Sequence, residues 1–198
     1  MMDSLETARL RLRDWRAGDA EPFARLNGTP KVMEFLPAVL DRAGSDALLA
    51  RILDHRATHG FALWAVEVKG GADFIGAVGL LRVPEALPFH PALELAWRLD
   101  AAHWGYGYAS EAAAACLGVA FDGLGAERVV AYTVPANVRS RAVMERIGLR
   151  RVDGGDFDHP ALPEGHRLRR HVLYALTQAE WREGVTRGPG PDPARPAR

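Results

Sequence analysis

Cysteine and lysine are almost missing from this 198-residue chain. Cys116 is the only cysteine, which excludes an internal disulfide and a cysteine-ligated metal cluster. It falls within an apolar helical stripe, where a packed thiol is expected rather than a nucleophile. Lys31 and Lys69 are the only lysines among 25 basic residues. With abundant alanine, that bias marks a GC-rich coding sequence and suggests a bacterial source. No run approaches the roughly 18 apolar residues that a membrane-spanning helix needs, so no membrane crossing is expected. The opening MMDSLETARLRLRDW has early acidic residues and no apolar core, so it is not a secretory signal, and a cytoplasmic location is expected. An excess of charge is also missing. The 25 acidic residues balance the basic ones and are interspersed with them, which leaves no footprint for nucleic acid or an anionic membrane. His159, His166 and His171 lack zinc-motif spacing such as H-E-x-x-H, so no metal site is expected.

What is present is an ordinary globular composition, 48% hydrophobic and 25% charged, in a length that suits one core. Residues 1–184 read as a single domain. The segment 185–198, rich in Pro, Gly and Arg and without periodicity, reads as a disordered tail. ARLRLRDW alternates as a strand, and GDAEPFARLN begins a helix with Asp19 as its cap and Pro22 in its first turn. Two helical pieces interrupted near Pro37 follow, the second ending at Gly60. FALWAVEVK, FIGAVGLLRV and ALELAWRLD read as three antiparallel neighbours. Ala109, Ala112, Ala113, Cys116, Leu117, Ala120 and Phe121 form the cleanest amphipathic stripe in the chain, stopped by Gly123 and Gly125. ERVVAYTV is a buried strand, NVRSRAVMERIG a helix capped by Asn137, and LRRHVLYAL a last strand. Thr177 and Glu180 form a capping box for a final turn of helix.

Between the third of those strands and the amphipathic helix lies HWGYGYASEA. A dinucleotide fold would need G-x-G-x-x-G, but the third position is Ser110, and a P-loop would need a lysine that is not there. What remains is a short turn in which Gly105 and Gly107 let backbone N–H groups face outward at a helix N-terminus. Such a turn either binds a pyrophosphate or serves only as a tight connection.

This segment resembles motif A of the GNAT N-acetyltransferases, Q/R-x-x-G-x-G/A, with Trp104 in the first position, Gly107 in the first glycine position and Ala109 in the last. WRLDAAHWGYGYASEAA is similar to the branch that acetylates ribosomal-protein N-termini. About thirty residues on, VPANVRSRAVMERIGLR resembles that branch's second signature, N-x-x-S-x-x-V-M-x-x-x-G. The resemblance covers roughly residues 5 to 183. It implies an α+β fold: a central mixed, mostly antiparallel sheet of six to seven strands with four to five helices, splayed after the strand at 92–99 to admit acetyl-CoA. It also implies that the main chain of Trp97, Arg98 and Leu99 pairs with the pantetheine arm. The amides of Gly105, Tyr106, Gly107, Tyr108, Ala109 and Ser110 would take the pyrophosphate, and Asn137 would touch the pantetheine or the adjacent nucleotide arm.

Acetyl transfer from a thioester to an amine needs a neutral amine, a stabilised oxyanion and a proton for the leaving thiolate. A backbone N–H near Leu99 is the candidate for the oxyanion. Where most of the family has a tyrosine for the thiolate, this chain has Met144. In the ribosomal-type branch a serine one turn after the asparagine is the proposed donor, and Ser140 stands there, either as catalyst or as an ordinary first-turn residue. Glu94 faces away from Leu93, Leu95 and Trp97, either as a base acting through water or as a partner of Arg98 on the same face. The loop 153–166, with Asp153, Asp156, Asp158 and Glu164, is either solvated or an acidic rim that attracts a cationic acceptor. Three functions stay open: an N-acetyltransferase acting on a protein N-terminus or a small-molecule amine, a non-catalytic acyl-CoA sensor, and a generic nucleotide-binding protein. The chain would work as a monomer or homodimer.

Overall fold

The apolar strands of this chain are short, and they become stable only by sharing one sheet between two layers of helices. The computed structural model describes residues 4–187. The strands are β1 (Ser4–Glu6), β2 (Leu10–Arg13), β3 (Leu63–Val68), β4 (Gly76–Arg82), β5 (Leu93–Leu99), β6 (Arg128–Thr133), β7 (Arg150–Arg151), β8 (Phe157–Asp158) and β9 (Arg170–Thr177). They run in the order β1-β2-β3-β4-β5-β6-β9-β7, with β8 also on β9. β3, β4 and β5 are antiparallel neighbours, as their alternation predicts. All pairs are antiparallel except β5 with β6. The sheet exceeds the expected six to seven strands because β1, β7 and β8 are only two or three residues long, too short to leave a period-2 pattern.

The helices are α1 (Ala20–Asn27), α2 (Pro30–Met33), α3 (Arg42–His59), α4 (Tyr108–Gly118), α5 (Val138–Arg146) and α6 (Gln178–Arg187). α4 buries Ala112, Ala113, Cys116 and Leu117 completely against one face of the sheet. Burial accordingly pushes the Cys116 thiol far up, which makes it inert. On the other face, Phe23 and Leu26 of α1 and Ile52 of α3 cover Ala62 and Ala77. The Thr177–Glu180 box forms, with the Thr177 N–H and Oγ1 both donating to Glu180 Oε2, at 2.9 and 2.8 Å. Asp19 departs from expectation. Its carboxylate does not cap α1 but accepts both guanidinium arms of buried Arg13, at 2.7 and 2.9 Å, and the Arg16 N–H. A buried arginine outcompetes a helix end for a carboxylate because its charge would otherwise be uncompensated. α6 runs to Arg187, three residues into the segment 185–198, and the rest of that segment lies outside the described residues.

Candidate active site

β5 and β6 pair only at Leu93–Val129 and Glu94–Val130. Beyond that point β5 bonds only β4, and β6 bonds only β9. The sheet therefore splays into a cleft of about 1460 Å³. The Asp100 N–H donates to Ile75 O on the β4 side, so by strand alternation the polar groups of Leu99 and Trp97 face the opening. The Trp104 indole N–H donates to Leu99 O at 2.9 Å and anchors the turn that follows to this free edge.

In that turn Gly105 and Gly107 have φ of +86° and +81°, which an L side chain adopts only under strain. Gly107 is the N-cap of α4 and has no side chain with which to cap it. The first amides of α4, on Tyr108, Ala109 and Ser110, border the cleft at the positive end of the helix dipole. Arg9 braces the turn from the start of β2. Its Nε donates to Glu111 Oε2 at 2.6 Å, its Nη1 to Tyr106 O at 2.9 Å, and its guanidinium lies 4.8 Å from the Tyr108 ring centroid. Arg146 Nη1 donates to Ser110 Oγ at 3.0 Å. Arg9, Lys31, Arg51, Arg82, Arg98, Arg139 and Arg146 all line the cleft, against Glu94 as the one carboxylate among the described residues. In a chain of zero net charge this concentration of cations, beside uncapped amides, fits a polyphosphorylated donor.

All twelve residues singled out from the sequence line this cleft. Asn137 caps α5 by accepting the Ser140 N–H at 3.2 Å, and its Nδ2 donates to Thr133 Oγ1 at the end of β6, at 3.0 Å. Both ends of that amide are thus engaged in joining α5 to the cleft wall. Ser140 is half-buried, and among the described residues nothing bonds its hydroxyl. Met144 is buried beneath it, and a thioether cannot supply a proton.

Glu94 does not pair with Arg98. It accepts a hydrogen bond from Tyr132 Oη at 2.7 Å, a link from β6 to β5 just where their pairing ends. Burial pushes the Glu94 carboxyl up, opposed by the Tyr132 bond. The same crowding, then the nearby carboxylate, raises the Tyr132 hydroxyl. Tyr132 packs among Phe89, Phe157 and His171, with ring centroids 5.4 to 5.8 Å away. The loop 153–166 does reach the cleft, but through His159, Ala161 and Leu162 rather than its acids. Asp156 is paired with Arg151, and Asp158 with Arg169 and Arg170, so two of the four acids considered for an acidic rim are engaged by local arginines. Sequence reading missed Tyr132 and Arg9. Both act through partners 38 and 102 residues away, which no local pattern records.

Residues 9–150 match the family model described as the acetyltransferase (GNAT) domain. The chain is 32% identical over 146 residues to the uncharacterised protein YkkB of Bacillus subtilis, covering 73% of this chain and 84% of that one. It is 31% identical over 189 residues to the FsC-acetyl coenzyme A-N(2)-transacetylase of Aspergillus fumigatus, covering 90% of this chain and 77% of that one. Its fold is similar to the crystal structure of a GNAT-family acetyltransferase from Bacillus anthracis, with a TM-score of 0.74 and 24% identity, covering 89% of this chain and 99% of that one. A splayed sheet, an uncapped helix end bordered by cations and a domain match over most of the chain agree: this protein belongs to the GNAT family and is an N-acetyltransferase that takes its acetyl group from acetyl-CoA.

Proposed function

We propose that the acceptor is a primary amine, on a small molecule or a protein N-terminus, and that the acetyl group passes to it directly within the cleft. The observation that carries this reading is that Glu94 of β5 and the unbonded Ser140 hydroxyl of α5 both line the cleft that opens where β5 and β6 part. The amides of the 105–110 turn and the main chain of Trp97 to Leu99 hold the donor. Glu94, its carboxyl raised above its ordinary value by burial, accepts the ammonium proton through water, since a carboxylate is a stronger base the higher its pKa. The Leu99 N–H faces the opening and is placed to stabilise negative charge on a carbonyl oxygen. Ser140 gives its proton to the leaving thiolate in the place that Met144 leaves without a donor.

Ser140→Ala tests the reading. If the hydroxyl is the acid, kcat falls roughly 10²–10⁴-fold while calorimetric affinity for acetyl-CoA is retained. Equal turnover in the variant would remove Ser140 from the mechanism, because alanine is well tolerated in a first helical turn.

A further inference from the structure

The side chain of Arg98 leaves β5 on the face opposite α4. In the β4 register it stands beside Ala77, which belongs to the core under α1 and α3. One guanidinium arm donates to Asn27 Oδ1 of α1. Asn27 Nδ2 in turn donates to Ser45 Oγ of α3 at 2.9 Å, and both of these residues are fully buried. The relay fixes the Asn27 amide with its oxygen toward Arg98, so the cation is held by neutral groups. Among the described residues no carboxylate lies within ion-pair distance of it. Arg13, the other deeply placed arginine, shows what the chain does elsewhere: Asp19 takes two of its arms and Glu67 a third. Phe23, Ile52 and Ala77 line the cleft on the same side, so the half-buried guanidinium opens into the cleft between apolar walls. Desolvation pulls the Arg98 pKa down to about 10. A guanidinium has five donors in a planar fork, and here one of them is used. The partner that completes such a group is a carboxylate, which takes two parallel hydrogen bonds and supplies the charge.

We propose that Arg98 binds a carboxylate of the acceptor, and that the acceptor is a small amine of the amino-acid class. The assignment rests on the reading of the cleft as an amine acetylation site. Glu94 and Arg98 project from the same face of β5 four residues apart, which sets a carboxylate toward the ammonium end of the acceptor and a guanidinium fork toward its carboxylate end.

The test uses matched sets of amines: an amino acid, its amide and its decarboxylated counterpart, for instance phenylalanine, phenylalaninamide and phenethylamine. Wild type should show kcat/KM roughly 10–100-fold higher for the acid than for either neutral member. Arg98→Gln should bring that ratio toward one while retaining acetyl-CoA affinity. Asn27→Asp should do the same by giving Arg98 an internal counter-charge, in a variant whose shape is kept. Equal use of acid and amide by wild type would overturn the proposal. So would a rise in acetyl-CoA KM with the acid preference intact in Arg98→Gln, which would move Arg98 to the donor side. If no amine is turned over, calorimetric titration of the same sets into the CoA-bound protein decides. Acid-selective binding lost in both variants supports the assignment while counting against acetylation of an amine. Absence of acid-selective binding overturns it.

Discussion

Glu94 is subject to two opposed influences, and each makes a measurable prediction. Burial raises its carboxyl, whereas the Tyr132 hydroxyl, by donating to the charged form, lowers it. Tyr132→Phe removes only the second influence. The acidic limb of the pH–kcat profile should therefore move to higher pH, with activity recovering in more alkaline buffer. An unmoved limb with uniformly lower kcat would mean that Tyr132 only packs. The stability consequence has the opposite sense to the usual carboxylate. A raised pKa means that the folded state binds the proton more tightly than the unfolded chain, so Glu94 costs no stability below its ordinary range and its full cost above the raised value. Glu94→Gln should thus raise Tm at neutral pH, by about 2–4 °C for each kcal/mol relieved, and this gain should vanish near pH 4. Loss of turnover together with a gain of stability would identify a functional group held against the interest of the fold.

At the scale of elements, the turn that opens α4 separates conformational strain from obstruction. A Cβ at Gly105 would meet nothing within 4 Å, but φ is +86°. Gly105→Ala should cost about 1–2 kcal/mol in denaturant unfolding and leave acetyl-CoA binding intact. Gly107→Trp adds bulk over the first amides of α4 and should abolish binding in calorimetry. Undiminished binding there would refute the placement of the donor on this turn. This turn and α4 were the most legible part of the sequence, because two glycines, a helix stripe from Ala109 to Phe121 and the Asn137 cap are all local signals. The splay was legible only through family resemblance, since it consists of pairs that β5 and β6 do not make. The Tyr132–Glu94 contact and the Arg98–Asn27–Ser45 relay join elements 18 to 71 residues apart, and their side chains are unremarkable in any window. The choice between a solvated and an acidic loop at 153–166 stayed open for the same reason. The pairing of Asp156 and Asp158 with Arg151, Arg169 and Arg170 is not visible in the loop's own sequence.

Across the whole molecule, His55, His159, His171 and Glu94, which all border the cleft, bear on how stability responds to pH. His55 bridges α3 to β4. It accepts the Arg82 N–H at Nε2 and bonds Phe61 O through Nδ1, at 3.0 and 2.8 Å, an arrangement only a neutral ring can make. His159 and His171 lie 5.3 Å apart beside Tyr132. Burial lowers all three, and for His159 the charge of His171 adds to it. A lowered histidine stays neutral in the fold while the unfolded chain takes up its proton. Its stability is therefore complete above the ordinary value of 6.5 and is lost as the pH falls below it. Each such proton contributes a slope of at most about 1.4 kcal/mol per pH unit. Glu94 works against them over the acidic part of this range, because there the folded state binds the extra proton. Urea unfolding between pH 7.5 and 5 should accordingly show falling stability on acidification, a shallower fall in His171→Asn and a steeper one in Glu94→Gln. A flat profile in wild type would mean that the three rings are open enough to water to titrate normally. An unchanged slope in Glu94→Gln would place the carboxyl of Glu94 in its ordinary range and would remove the physical basis for its role as a base at neutral pH.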